Sequence, residues 1–287
     1  MPACDAAPDP ALIRFPRKLP DWSWQVLDGR RPAAAPRDAA TVMLLREDPA
    51  AGLEVYMLRR QPSMAFAPGA YVFPGGGVDA RDVDEEVAWS GPDIGSWGEL
   101  LAAPPELARA LACAAVRETF EESGVLLAGP GPGALVADTT GDDWEADRLA
   151  LLDRSQSLAE MLGRRRLVLR SDLLRPWSRW ITPAVEERRY DTRFFAAAMP
   201  SGQRTRDVGG EAAAVTWISP AAALAAGRRG EIELWPPTAV TLAELAACGD
   251  ADTALTAARD VAPRLPEVLM RDGAAWLTVP ATRQYPL

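Results

Sequence analysis

Histidine is absent from all 287 residues. That absence excludes Ser–His–Asp triads, histidine general bases and histidine metal sites. Acid–base chemistry is left to carboxylates, Lys, Tyr or metal-activated water. Cysteine is scarce, and Cys4, Cys113 and Cys248 stand alone, so neither a disulfide framework nor a zinc spacing is present. Cys113 reads as a small core residue. Long basic runs are missing and the formal net charge is −9. This argues against a nucleic-acid-binding surface, but not against a small anionic substrate met through a metal. No apolar run approaches the roughly 18 residues that would suggest a membrane span. The Pro-rich N-terminus carries no apolar signal region. The expectation is a soluble, cytoplasmic protein with no nucleic-acid or membrane partner.

What is present is ordinary for a globular protein: 48% hydrophobic and 25% charged residues, in a length sufficient for one large domain or two small ones. The most informative stretch is Arg117-Glu118-Thr119-Phe120-Glu121-Glu122-Ser123-Gly124-Val125. Read as a helix, it puts Glu118, Glu121 and Glu122 at i, i+3 and i+4, on one face. Cys113, Val116 and Phe120 fall on the opposite face, and small Ala112 and Ala115 suit close packing. Arg117 stands four residues before Glu121 and can brace it. Gly124 sits at the expected C′ position, so the three acids lie at the negative end of the helix dipole, where acids are disfavoured. Three such acids alone would read as a solvated acidic face. A hard divalent cation, Mg²⁺ in particular, would explain their repulsion better, because it takes oxygen ligands from a few carboxylates plus substrate phosphates.

Upstream stands Tyr71-Val72-Phe73-Pro74-Gly75-Gly76-Gly77-Val78-Asp79, a strand running into a glycine turn. A strand, a glycine turn and then an R-E-x-x-E-E-x-G helix resembles the Nudix hydrolase box, G-x5-E-x7-R-E-U-x-E-E-x-G-U, where U is aliphatic or aromatic. Thr119 occupies the first U place. The spacing departs from the family: residues 77–116 separate Gly76 from Arg117, far more than the box allows, so the box carries an insertion. Counted forward from Gly76, the first box acid falls on Asp82. Counted back from Arg117, it falls on Arg109. That acid therefore stays unassigned.

The resemblance extends further. Met57-Leu58-Arg59-Arg60-Gln61-Pro62-Ser63, with Gly69 and Phe73-Pro74-Gly75-Gly76, is similar to the motif that precedes the box in coenzyme A diphosphatases of the Nudix family. Trp180-Ile181-Thr182-Pro183 followed by Arg188-Arg189-Tyr190-Asp191-Thr192-Arg193-Phe194-Phe195, and the later Pro236-Pro237-Thr238, resemble the large-insert subgroup that includes the peroxisomal acyl-CoA diphosphatase. The chain end Tyr285-Pro286-Leu287 is not a peroxisomal small–basic–Leu address.

The chain then divides into an N-terminal arm over 1–36, a Nudix domain over 37–245 with its insertion at about 79–105, and a C-terminal helical extension and tail over 246–287. Within the domain, Ala39–Arg46 and Leu53–Arg60 read as a hairpin. The insertion holds acids, Trp89, Trp97 and turn formers, and fits either a pocket rim or inert decoration. Pro104-Pro105-Glu106 opens the box helix, and Val125–Leu127 reads as a short strand. Asp142–Arg165 shows helical spacing, as does Pro237–Ala258. Trp180–Pro183, Arg189–Ala197 and Val215–Ile218 read as strands, the last followed by a Ser219-Pro220 helix start.

The expected fold is the α/β/α Nudix sandwich, a mixed sheet between helices, enlarged by the insertion and by C-terminal helices. By resemblance, Glu118, Glu121 and Glu122 bind Mg²⁺ or Mn²⁺, with the Gly75 carbonyl as a further ligand. Arg117 orients an acid. One of the glutamates, or Glu211 with Asp207 behind it in the loop before a strand, activates water; the plain alternative for Glu211 is a loop acid. Arg60, Ser63, Gly76, Arg189 and Arg193 are the candidate substrate contacts, with Arg for phosphate and aromatic rings for a base. Arg59 and Arg60 also fit a simple strand-end surface charge. The implied reaction is hydrolysis of a diphosphate in a small nucleotide-containing substrate. Coenzyme A or acyl-CoA is the first reading, giving 3′,5′-ADP and a phosphopantetheine. ADP-ribose or another nucleoside diphosphate sugar is the second, and a ligand-binding regulator without turnover is the third. A homodimer is compatible with all three.

Overall fold

A computed structural model of the chain describes residues 11–14, 19–63, 67–84, 86–206, 212–271 and 274–279. Glu211 and Asp207 lie outside the described residues. In chain order the first elements are β1 (Ala11–Arg14), α1 (Asp21–Leu27), β2 (Arg37–Asp48) and β3 (Gly52–Arg60). The last two form the hairpin expected from their apolar runs, in register Leu45↔Val55 to Asp48↔Gly52. The short strands β4 (Tyr71–Val72) and β5 (Gly75–Gly77) pair with β3 and β2 respectively.

The insertion supplies α2 (Ala80–Asp84), β6 (Trp89–Ser90) and α3 (Ile94–Leu101), and α4 (Pro105–Ser123) follows as the box helix. Helix α4 opens on Pro105 at its first turn and closes on Gly124, whose φ of 73° is the left-handed cap conformation. Residues 125–127 are not a strand; the chain runs irregularly through fully buried Val125, Leu126 and Leu127 into β7 (Ala128–Gly129).

Next come α5 (Asp142–Leu152), α6 (Leu158–Arg165), β8 (Val168–Arg170), β9 (Arg175–Ile181) and β10 (Tyr190–Ala198). The series continues with β11 (Ala212–Ile218), α7 (Pro220–Arg228), α8 (Pro236–Cys248) and α9 (Ala251–Thr256). The expected 237–258 helix is broken at Gly249, which has φ of 83°. The tail is not helical: β12 (Pro263–Arg264), β13 (Glu267–Arg271) and β14 (Ala274–Val279) are strands.

The main sheet is eight-stranded, in the order β11-β3-β2-β10-β9-β12 with β4 and β5 attached beside β3 and β2. It is mixed, because β10 runs parallel to β2 and antiparallel to β9. Period-two alternation feeds two cores. Val42, Leu44 and Phe195 join Leu111, Val116 and Phe120 of α4 in one cluster. Met43, Leu45 and Phe194 join Ala223, Val240 and Leu242 of α7 and α8 in the other. The result is a sheet between helical layers. Among the described residues, no helix is long and apolar enough to cross a membrane.

The inserted segment is built into the core. Trp97 on α3 is 1% exposed, packs in a tilted ring contact with Phe195 at 6.1 Å between centroids and donates its indole N–H to Ser171. We therefore expect Trp97→Ala to cost about 3–5 kcal/mol, read as a lower urea midpoint with unchanged m-value. A mobile rim would instead leave stability intact.

Candidate active site

The three acids of α4 project from its last turns toward the glycine strand β5. Glu122 accepts a hydrogen bond from the Gly75 N–H at 2.8 Å. Glu118 lies against Gly76 so closely that a Cβ there would overlap its carboxylate. A Cβ on Gly75 would likewise run into Thr41 and the Ala40 carbonyl. Close approach of backbone calls for glycine at Gly75, whereas a side chain at Gly76 would displace the Glu118 carboxylate; neither lies in the left-handed region.

Arg117 is the hub. Its guanidinium donates to Asp82 at 2.9 Å, to Glu118 at 2.8 Å, to Glu121 at 3.2 Å and to the Gly77 carbonyl at 2.9 Å. Asp82, Arg117 and Glu121 are each less than a tenth exposed. Of the two positions reached by counting along the box, the forward one, Asp82, is the residue that meets Arg117. Arg109, the residue selected by backward counting, donates to the Val83 carbonyl instead.

Burial pulls the Arg117 pKa down, but Glu118, Asp82 and Glu121 outweigh it and the net shift is upward. Burial, with Glu121 adding to it against the pull of Arg117, holds Glu118 well above the ordinary carboxylate range. Glu121 is raised by burial in the same way. One cation thus faces two buried acids and a third that is mostly covered, so the cluster carries surplus negative charge in a poorly solvated place.

The cluster opens on a cavity of about 570 Å³ lined by Gly75–Gly77 and the three glutamates on one side. Trp180, Tyr190 and Trp235 add aromatic walls, and Arg60 and Arg188 add cations. Arg60, a candidate substrate contact, thus lines the cavity. Ser63 is exposed and is not a lining residue.

Arg189 and Arg193 are corrected. Tyr190, Thr192 and Phe194 line the cavity, so strand alternation turns Asp191 and Arg193 to the other face of β10. There Arg193, 2% exposed, pairs with Asp38 and Asp191 at 2.9 Å each. Arg189 donates to the Thr182 and Ala34 carbonyls, tying the N-terminal arm to the β9–β10 turn. Arg188, one place earlier and in phase with Tyr190, is the arginine of that run that reaches the cavity.

The insertion contributes Asp79 and Arg81 to the same wall, and the α5–α6 turn contributes Arg154. Nothing in their local sequence marked these three. Bidentate pairing with Arg81 pulls the Asp79 carboxyl down to about 2.

The donor set suits a hard divalent cation: all oxygen, surplus negative charge, a cavity beside it and no histidine in the chain. In the described residues the acids are divided between Arg117 and the Gly75 amide, and no three His, Cys, Asp or Glu side chains form one ready-made group around a point.

Comparisons with known proteins agree with this geometry. A family model described as the NUDT19 Nudix domain matches residues 96–245. The chain is similar to the acyl-coenzyme A diphosphatase NUDT19 of Gallus gallus, at 30% identity over 261 residues, covering 73% of this chain and 68% of that protein. The Homo sapiens protein of the same name is 30% identical over 236 residues, covering 67% of this chain and 60% of that one. The Xenopus laevis protein is 27% identical over 229 residues, covering 67% and 59%. The chain thus spans about three fifths of the length of the last two relatives. Among solved structures, a NUDIX hydrolase from Alicyclobacillus acidocaldarius superposes with a TM-score of 0.64 at 28% identity, over 79% of this chain and 98% of that one. With the matched domain running from α3 through the box helix to α8, the chain belongs to the NUDT19 Nudix domain family.

Proposed function

We propose that this protein hydrolyses the diphosphate of coenzyme A or an acyl-CoA, giving 3′,5′-ADP and the corresponding phosphopantetheine. The observation that carries the reading is the Arg117-centred carboxylate cluster opening on a cavity with aromatic and cationic walls. The acyl-coenzyme A diphosphatases to which the chain is similar supply the substrate class. A divalent cation, Mg²⁺ or Mn²⁺, held by Glu118, Glu121 and Glu122, with the Gly75 carbonyl alongside, would neutralise charge on the diphosphate when bound.

The chain's own groups do the rest. Arg117 holds Glu118 and Glu121 in place and is itself fixed by Asp82 and the Gly77 carbonyl. The Gly75 N–H orients Glu122. Arg60 and Arg188 offer planar donor forks to phosphate oxygens. Trp180, Tyr190 and Trp235 offer flat apolar surface to the base or the pantetheine arm. Water adds to one phosphorus, the bridging P–O bond breaks, and the water's proton passes to a carboxylate of the cluster or to Glu211.

Products after incubation with Mg²⁺ or Mn²⁺ decide the substrate. We expect 3′,5′-ADP to appear fastest from CoA, acetyl-CoA or a long-chain acyl-CoA. AMP from ADP-ribose or NADH alone would replace this reading with a nucleotide-sugar hydrolase. Binding without cleavage would make the domain a ligand sensor.

Glu121→Gln and Glu122→Gln should each lower kcat by roughly a hundredfold or more, with an unchanged circular dichroism spectrum. Wild-type turnover in either variant would remove that residue from the metal set.

Glu118→Gln separates charge cost from function in a second measurement. In chelator-treated protein it should raise Tm by about 2–4 °C, the size of a 1 kcal/mol relief, because a buried acid beside Glu121 is neutralised. It should also lose the further rise that Mg²⁺ or Mn²⁺ gives the wild type.

A further inference from the structure

The turn between α5 and α6 is fastened to the end of the glycine strand by one part-buried device. Arg81, on the inserted helix α2, uses all three nitrogens of its guanidinium on it. Nη1 donates to the carbonyls of Arg154 and Gln156, at 3.1 Å each. Nε and Nη2 donate to the two oxygens of Asp79, at 3.1 and 3.2 Å. The Asp79 N–H in turn donates to Asp82 at 2.9 Å, and Asp82 holds Arg117. An unbroken run of charged hydrogen bonds therefore links the backbone of Arg154 to the carboxylate cluster.

The side chain of Arg154 is treated differently from its backbone. It is 76% exposed while its residue lines the cavity, and its Nε stands 3.8 Å from Asp79, beyond hydrogen-bond distance. Asp79 is already satisfied by Arg81, so this second pairing is weak in solvent. Arg154 also sits just past α5 with φ of 63°, where glycine is the usual residue. The chain thus fixes the main chain of Arg154 firmly, in a conformation that does not favour arginine, and leaves the planar cation at the cavity wall.

We propose that Arg154 is a substrate-binding residue that contacts phosphate oxygens, and that Arg81 is the positioning residue that aims it. The inference rests on the reading of the cavity as a diphosphate site. Its chemistry is that of a guanidinium fork and an anionic tetrahedral oxygen group.

The test uses Arg154→Gly, which suits the backbone and removes the cation, beside Arg154→Lys and Arg81→Ala. Arg154→Gly should raise KM for the substrate cleaved fastest by about tenfold, lose more on KM than on kcat, and leave Tm unchanged or higher. Calorimetric affinity of the Mg²⁺-loaded protein for inorganic diphosphate should fall by the same factor. Arg154→Lys should recover part of both. Arg81→Ala should raise KM too, yet add little in the double variant, because it acts through Arg154. If Arg154→Gly matches wild type in KM and in diphosphate affinity while wild type does cleave and bind, this proposal alone is overturned. If wild type neither cleaves a diphosphate nor binds inorganic diphosphate, the site reading fails and this proposal falls with it.

Discussion

Everything at the site depends on the sharing of one guanidinium among three acids. Arg117 is placed by the core, since it shares α4 with Val116 and Phe120, which are packed on the sheet. Its donors then order Asp82, Glu118 and Glu121 around it. Remove that cation and Asp82, Glu118 and Glu121 are left to repel one another, the two glutamates near a helix end that already disfavours acids. Two further devices relieve the same end. Arg148 donates to the Glu121 carbonyl at 2.8 Å, and Gly124 closes the helix in the left-handed conformation. A cation and a cap thus answer the unsatisfied carbonyls, while the carboxylates stay turned to the glycine strand.

The glycine strand is the other half of that constraint. Helix and strand approach so closely that side chains on Gly75 and Gly76 would overlap Thr41 and Glu118. Small side chains along α4 serve the same end: Ala108, Ala112 and Ala115 are fully buried. Thr119, the one polar residue at an apolar box place, is also fully buried, and its hydroxyl donates to the Ala115 carbonyl. A hydroxyl satisfied within its own helix takes that place without leaving an unpaired polar atom in the core.

The parts of the site written in short-range periodicity were legible. Spacing alone put Glu118, Glu121 and Glu122 on one helix face and Val116 and Phe120 on the other, and the strand–glycine turn was evident beside them. What spacing could not decide was whether Asp82 or the Arg109 position faces Arg117, because Asp82 lies 35 residues away and only the fold brings the two together. Arg189 and Arg193 show a different limit. An arginine-rich strand in a mixed sheet presents charge to both faces, and which face holds the cavity depends on the neighbouring strands. Arg193 is consumed by Asp38 of β2, a residue 155 positions distant. The C-terminal strands were equally opaque, since β13 is half-exposed or exposed along its length and carries little apolar alternation to mark it.

The insertion within the box makes the physical point most clearly. Lengthening a loop costs entropy only slowly, by about 0.6 kcal/mol per doubling, so extra residues between Gly76 and Arg117 are tolerable provided both ends are retied. The near end is retied within eight residues of Gly75, where Asp79 and Asp82 turn back through α2 onto Arg81 and Arg117. The far end is retied by Trp97, buried between α4 and the sheet against Phe195. Cations in this chain are almost all arginine, Lys18 being the single lysine. A planar fork is what such retying needs, because Arg81 and Arg117 each bind several partners in fixed directions, which a single ammonium does less well. Sequence spacing in the box is therefore a proxy. In this chain an acid stands within hydrogen-bond reach of Arg117 despite the lengthened spacing, because the fold returns Asp82 to it.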